Sequence, residues 1–362
     1  MANKNNNLNY KDINYVKLAF EQASINLGST SGNPSVGCVV VKNNSVISSG
    51  HTSLNGRPHA EDNALKKKID YKNSDIYVSL EPCSHYGKTP PCTKKIIKKK
   101  IQRVIFSVDD VDLRSKKKAK KKFFNKKIKV KDNVLKKIGK DFYQSYFLQS
   151  SSKLPFIDGK LAASKDDYTI NRKDRWITNS QSRRIGNFIR SKYDCLVTTS
   201  KTINDDNPLL DCRIEGLEKK TPGLVIIDRH LQIKKSSKIF KKMNRKIYIL
   251  TLKKNLSKEK FFKKKGVKII QNKNININFK NAFYYIKKLG FNRILIESGI
   301  TFLSAALKCN IIKNLYLFKS SNMLKSKGHN NSSFLCIKKA KISNKNRIKV
   351  NLQEDNLYKV KL

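Results

Sequence analysis

The stretch LEPCSHYGKTPPCTKKII, running from Leu80 to Ile97, sets two cysteines nine positions apart, each directly after a proline. No other pair of cysteines in the chain stands so close. Just before it, DIYVSL (Asp75 to Leu80) has the composition of a strand. From Pro91 onward, PCTKKIIKKK reads as a helix, because proline at a helix start has its φ preset and lacks only an N–H that would go unpaired anyway. Cys83 therefore follows a strand, and Cys92 falls in the first turn of a helix. The partial positive charge of a helix N-terminus favours a thiolate over a thiol there.

Upstream, PHAEDNAL (Pro58 to Leu65) holds His59 and, two residues on, Glu61, in the first turn of a short helix read over HAEDNALKKKI. A zinc ion that activates water needs three protein ligands and one open position. His59, Cys83 and Cys92 supply one imidazole and two thiolates, and Glu61 is left over as an acid/base group. The order H-x-E, then P-C, then C is the signature of zinc-dependent nucleobase deamination. In that chemistry the metal acidifies a water toward a pKa of ~7. Glu61 would take its proton and pass it to the leaving amine. Cys38, Cys195, Cys212, Cys309 and Cys336 lie in apolar or strand-like stretches and read as core; His230 and His329 read as surface. His51 and His85 lie near the site in sequence and are open to either a substrate contact or a structural role.

The 362 residues suggest two domains of ordinary size. The polar N-terminus does not read as a signal peptide, and no apolar run nears the ~20 residues of a membrane span. A reducing cytoplasm is the expected location, where close cysteines point to metal or catalysis rather than disulfides. The formal charge is +51, and lysine supplies nearly all of the positive part. KKKAKKKFFNKKIKVK (Lys116 to Lys131) reads as a solvated helix face followed by a strand, not as an arginine- and aromatic-rich nucleic-acid surface.

Along the first half, DINYVKLAFEQASINLG reads as a helix capped by Asp12, with Ile13, Val16, Phe20, Ala23 and Leu27 on one face. VGCVVV and VISSG around KNNS read as a hairpin. RVIFSV and KIKV read as strands. QSSSK (Gln149 to Lys153) is the expected linker. A second alternating series follows. Its strands are read at PFIDGKLAAS, CLVTTS, GLVIID, KIYIL, VKII, RILIES and NLYLF. Its helices are read at NSQSRRIGNFIRS, KNAFYYIKKLG and TFLSAALKCN, and the final stretch reads as short antiparallel strands. Such alternation is that of layered α/β domains.

The eight-residue loop SHYGKTPP between the cysteines, with NPSVGCVVV and GRPHAE upstream, resembles the bifunctional deaminase–reductases of riboflavin biosynthesis. The resemblance continues through FIDGKLAAS, RWITNSQSRR, FIRSKYDCLVTTSKTINDDNPLLDCR and ILIESGITFLSAAL. It implies an N-terminal cytidine-deaminase-like α/β/α domain over 1–148 and a dihydrofolate-reductase-like α/β domain over 153–362. It implies zinc-dependent deamination of a ribosylated diaminopyrimidinone 5′-phosphate, then NADPH-dependent reduction of the ribosyl group. Carried over by position, Ala162, Trp176, Thr202, Asp206 and Gly299 would meet the cofactor, and Arg190, Leu210, Arg213 and Glu297 the substrate. A homo-oligomer is implied, and neither nucleic acid nor a membrane is an expected partner. SKDD (Ser164 to Asp167) stands where the family reads Ser-Leu-Asp-Gly, and DDVDLRSKKK (Asp109 to Lys118) replaces an Asp-Pro-Asn segment. Two other readings stay open at this stage: a deaminase whose reductase-like half is only a scaffold, and a zinc deaminase acting on nucleic acid.

Overall fold

The computed structural model describes residues 10–174, 176–241, 244–271, 279–332 and 342–362. The chain divides into two compact units, Met1–Ser150 and Ser151–Leu362. In the first unit, helix α1 (Tyr10–Ile25) leads into the hairpin β1 (Gly37–Lys42) and β2 (Ser45–His51). Then come α2 (Ala60–Ala64), β3 (Asp75–Val78), α3 (Cys92–Lys98), β4 (Arg103–Phe106), α4 (Lys118–Phe124), β5 (Lys129–Lys131), α5 (Lys136–Phe142) and α6 (Gln144–Ser151). The five strands form one sheet in the order β2-β1-β3-β4-β5. β1 runs antiparallel to both neighbours, and β3, β4 and β5 are parallel.

The hairpin turns on Asn43 and Asn44, both at positive φ, the backbone that a tight two-residue turn requires. Its strands are covered closely by helices. A Cβ at Gly37 would fall 1.9 Å from the Ala19 carbonyl oxygen, and one at Gly50 would fall 2.5 Å from that of Ala60. These glycines are therefore what lets α1 and α2 seat directly on β1 and β2. Val39, Val40, Ile76, Val78, Val104, Ile105 and Phe106 fill the core. Each aliphatic side chain so buried contributes roughly 1.5–3 kcal/mol.

The second unit contains β6 (Phe156–Ala163), β7 (Tyr168–Asn171), α7 (Ser180–Arg190), β8 (Cys195–Thr199), α8 (Ser200–Asp206), β9 (Gly223–Ile227) and β10 (Ile247–Thr251). It continues with α9 (Leu256–Lys264), β11 (Lys268–Gln271), α10 (Phe279–Lys288), β12 (Arg293–Glu297), α11 (Ile300–Lys308), β13 (Asn314–Lys319), β14 (Gly328–Asn331) and β15 (Asn356–Lys361). Eight strands form a sheet in the order β11-β10-β9-β8-β12-β6-β13-β15, and β14 pairs with β7 apart from it. The large sheet is parallel except for β15, which lies antiparallel on β13. The near-continuous apolar runs in its strands follow from burial on both faces. Among the described residues no helix is long and apolar enough to cross a membrane.

Several sequence expectations are corrected. Asp12 is not a cap; it lies buried in the first turn of α1, where Arg103 at 2.7 Å, Lys131 at 2.8 Å and the Tyr77 hydroxyl at 3.0 Å hold its carboxylate. Helix α2 stops at Ala64, short of the lysine run expected to continue it. Gln149, Ser150 and Ser151 are helical rather than linker, leaving 152–155 as the non-helical connection. Helices α5, α6, α8 and α9 had no expectation, because short lysine- or serine-rich helices lack an apolar stripe to read. On α4 the lysines expected to be solvated are mostly exposed, while Phe123 is buried. His230 and His329 are exposed as expected, and Cys38, Cys195 and Cys212 are buried. Cys309 is only partly buried. Cys336, and residues 333–341 of the expected C-terminal strands, lie outside the described residues.

Candidate functional sites

His59 is the N-cap residue of α2, and Glu61 follows in its first turn. Pro91 is the N-cap of α3, so Cys92 is that helix's first residue. His59 Nδ1 lies 3.7 Å from Cys83 Sγ and 3.5 Å from Cys92 Sγ. The three donor atoms fall within 4.8 Å of one another, the one such cluster among the described residues. The backbone N–H of Cys92 donates to Cys83 Sγ at 3.2 Å, and that of Thr93 to the Cys83 carbonyl at 3.2 Å. The eight-residue loop thus closes on itself and delivers both sulfurs to one imidazole.

The electrostatics fit this arrangement. The hydrogen bond to Cys92, aided by His59, brings the Cys83 thiol down to about 4, so it is a thiolate. The same sulfur contact, with burial, pushes the Cys92 thiol up. Hydrogen bonding to Cys83 raises His59. Glu61 is 4% exposed, and burial together with the Cys83 charge raises its carboxyl to about 7. One imidazole and two soft thiolates are a donor set suited to zinc, and three ligands leave a fourth position open. Glu61 stands outside the donor cluster.

Around the site, the loop after β4 is pinned by a residue that sequence reading passed over. The Glu81 carboxylate accepts the backbone N–H groups of Asp110 at 3.1 Å, Lys117 at 2.9 Å and Ala119 at 3.1 Å. Asp110 accepts the Tyr146 hydroxyl at 2.9 Å. Asp112 is engaged with Arg114, which holds its carboxyl down at about 2. His85 is tied to the hydroxyl of Ser115 at 2.7 Å. For His51, the backbone carbonyl accepts from Asn63 Nδ2 at 2.8 Å. The signal for Glu81 was present in LEPC: a carboxylate at the end of an apolar strand must find donors if it is buried.

In the second unit, the C-terminal ends of the adjacent strands β8, β12 and β6 gather several of the expected residues. β12 lies between β8 and β6: from β8 the chain runs outward through β9, β10 and β11, then reverses back to β12. Parallel sheets bind ligands in the crevice that such a reversal opens. Thr199 caps α8 and meets the Thr202 hydroxyl at 3.0 Å, and that hydroxyl accepts the Gly299 N–H at 3.2 Å. Gly299 is the N-cap of α11, and a Cβ built there meets nothing within 4 Å. That helix start is therefore open to an anionic group. Glu297 closes β12 and grips Arg190 with two parallel bonds, 2.6 and 3.0 Å. Arg190 also donates to Asn187 and to the Asp211 carbonyl. Lys160, on the neighbouring β6, stands 3.7 Å from Glu297. Burial alone would raise the Glu297 carboxyl, but Arg190 and Lys160 overcome it and bring it down to about 2.

Ala162 sits two residues beyond Lys160 on β6. Leu210 is buried at φ +52, and its carbonyl accepts from Arg245. Arg213 is about half exposed and pairs with Asp211 at 3.3 Å. Trp176 is 47% exposed with the Arg183 guanidinium stacked 4.5 Å from its ring centre. Asp206 ends α8 on the exposed side. Asp167 stands where the resemblance puts glycine and takes φ +70, a left-handed backbone that Asp tolerates better than most residues. The missing glycine therefore leaves the turn intact. Lys160 and Arg245 were missed by sequence reading; a lysine inside the apolar run FIDGKLAA was the available sign.

The comparisons follow this division. Residues 9–108 match the cytidine and deoxycytidylate deaminase zinc-binding region, and residues 156–325 match the RibD C-terminal domain. The class is thus a zinc-binding deaminase unit joined to a reductase-type α/β unit. The riboflavin biosynthesis protein RibD of Aquifex aeolicus is 32% identical over 85% of this chain and 86% of its own length. That of Buchnera aphidicola is 34% identical over 87% and 88%. A diaminohydroxyphosphoribosylaminopyrimidine deaminase/5-amino-6-(5-phosphoribosylamino)uracil reductase structure from Thermotoga maritima superposes with a TM-score of 0.79. It has 25% identity and covers 97% of this chain and 98% of the other. The chain belongs to the RibD family of riboflavin biosynthesis proteins. It is a bifunctional enzyme, a zinc-dependent deaminase and an NADPH-using reductase, with the two-part fold that the sequence led us to expect.

Proposed function

We propose that the unit ending near residue 150 removes an amine from a phosphorylated diaminopyrimidinone riboside and that the following unit reduces the opened ribose. The observation that carries the first half is the convergence of His59, Cys83 and Cys92, with buried Glu61 in the first turn of the helix His59 caps. These three residues would hold zinc, which when bound would supply the Lewis acidity that makes a water reactive at neutral pH. Glu61, buried beside these ligands, is the acid/base group that would hold a proton and deliver it to the departing amine nitrogen.

In the second unit, Gly299 and Thr202, with Ala162, Trp176 and Asp206, would hold NADPH, which when bound would supply hydride. Glu297, fixed by Arg190 and Lys160, orients the ribose hydroxyls, and Leu210 and Arg213 border the phosphate of the substrate. Arg190 acts mainly through Glu297, since the carboxylate takes its forked donors. The protein works in the cytoplasm as a homo-oligomer and takes a small phosphorylated substrate rather than nucleic acid. The test is ammonia release by Glu61→Gln loaded with zinc. Retained metal with turnover reduced about 10³-fold supports the proton-carrying role; normal turnover removes it.

A further inference from the structure

We propose that Arg245 is a positioning residue for the reductase: by holding the main chain at Leu209 and Leu210, it sets the loop that presents Arg213 to the phosphate of the substrate. Arg245 stands two residues before β10, well downstream of the loop that follows α8. Its Nη2 donates to the Leu209 carbonyl at 2.7 Å, and its Nη1 to the Leu210 carbonyl. A longer contact from Nη1 reaches the Pro222 carbonyl at 3.5 Å, where the loop ends at β9. Among the described residues, every hydrogen bond of this guanidinium therefore goes to main-chain oxygen. A guanidinium is a flat, rigid fork of donors, so one side chain can hold two successive carbonyls.

The segment it holds is one that needs holding. Leu210 is buried at φ +52, a left-handed backbone that a branched residue keeps only where its surroundings impose it. Asn207, the C-cap of α8, is left-handed as well. Further along, Arg190 donates to the Asp211 carbonyl at 3.0 Å, and Thr221 Oγ1 accepts the Cys212 N–H at 3.1 Å. Residues 209 to 212 are thus anchored one after another through the main chain, and Arg213 is the next side chain along, about half exposed. Two arginines clamp the segment. Arg190 is itself gripped by Glu297, and Arg245 acts in this scheme through Arg213 rather than on the substrate.

The inference rests on the reading of Arg213 as a phosphate contact, but half of its test needs no turnover. In the full-length, zinc-loaded chain, Arg245→Met keeps the apolar stem and removes the fork. Amide hydrogen exchange across 207–213 should speed up about tenfold, the scale of losing hydrogen bonds to a charged group. In NADPH oxidation with the deaminated intermediate, the same variant should raise KM about three- to tenfold, as expected for Arg213→Ala, while kcat changes less than about threefold. The double variant should match Arg213→Ala alone, because both residues act through one contact; independent effects would multiply. Arg245→Lys keeps the charge but offers a point donor to two carbonyls, so it should show both changes at about threefold, and it decides the matter if the methionine variant does not fold. Unchanged exchange overturns the proposal. So does an unmoved KM beside a raised KM in Arg213→Ala, or effects that multiply in the double variant. Faster exchange with KM unmoved in Arg213→Ala would instead leave the loop-holding role standing and remove the phosphate reading of Arg213.

Discussion

The two sites are built on opposite plans. The candidate metal cluster draws its three donors from residues 59 to 92: His59 and Cys92 stand at the starts of short helices, and Cys83 in the loop between β3 and α3. The reductase cluster takes Lys160, Arg190, Thr202, Glu297 and Gly299 from separate strands and helices of the second unit, joined by the order of one parallel sheet. The first is held by local turns and sulfur contacts. The second is held by a buried ion pair whose members are more than a hundred residues apart. A local site can be lost by one ligand without disturbing the fold. A site welded into the sheet cannot lose its central charge without weakening the sheet that carries it.

Replacing Cys92 with serine should break the comparison most sharply. Zinc content should fall close to zero and ammonia release by more than about 10³-fold, while NADPH oxidation with the deaminated intermediate stays normal. Metal analysis with the two separate assays checks this. Glu297→Gln should do the reverse. It leaves Arg190 and Lys160 without their counter-charge, and breaking a buried pair in this way costs about 3–5 kcal/mol. The reductase unit should melt earlier in calorimetry, with the deaminase unaffected.

The same carboxylate gives a pH signature. Its folded value lies near 2, below the ordinary value of 4.5, so its contribution to stability is complete above about pH 4.5 and is lost as the pH falls toward 2. The parent chain should lose stability across that window, and Glu297→Gln should flatten the slope there. Smallest of all, Arg213→Ala should raise KM for the phosphorylated intermediate about three- to tenfold, because an exposed arginine contributes one screened phosphate contact. An unchanged KM would take Arg213 out of the phosphate site.

How far the sequence could be read follows the same contrast. His59, Cys83 and Cys92 were legible because their chemistry is rare and their spacing is set by turns that proline and helix starts announce. Glu61 was legible as the acid left over once the ligands were counted. The sheet strands of the second unit were legible as apolar runs, but which strands lie side by side was not. Hence the pairing of Arg190 with Glu297 could not be foreseen, although both were singled out. Lys160 was missed because a lone charge inside an apolar strand gives no sign of its partner, and Glu81, beyond the end of β3, because the loop it holds lies some thirty residues or more downstream. Asp12 was misread as a cap because Arg103 and Lys131, which draw it into the interior, lie some ninety residues or more downstream. At Asp167, which stands where the family reads glycine, only backbone geometry reveals that aspartate takes a left-handed conformation.

X-ray absorption at the zinc edge of the loaded chain tests the central claim most directly. Two sulfur neighbours and one imidazole nitrogen, with a light oxygen scatterer as the fourth neighbour, are the expected shell. A shell of four sulfurs, or one with no imidazole, would contradict the account of both the metal and the acid beside it.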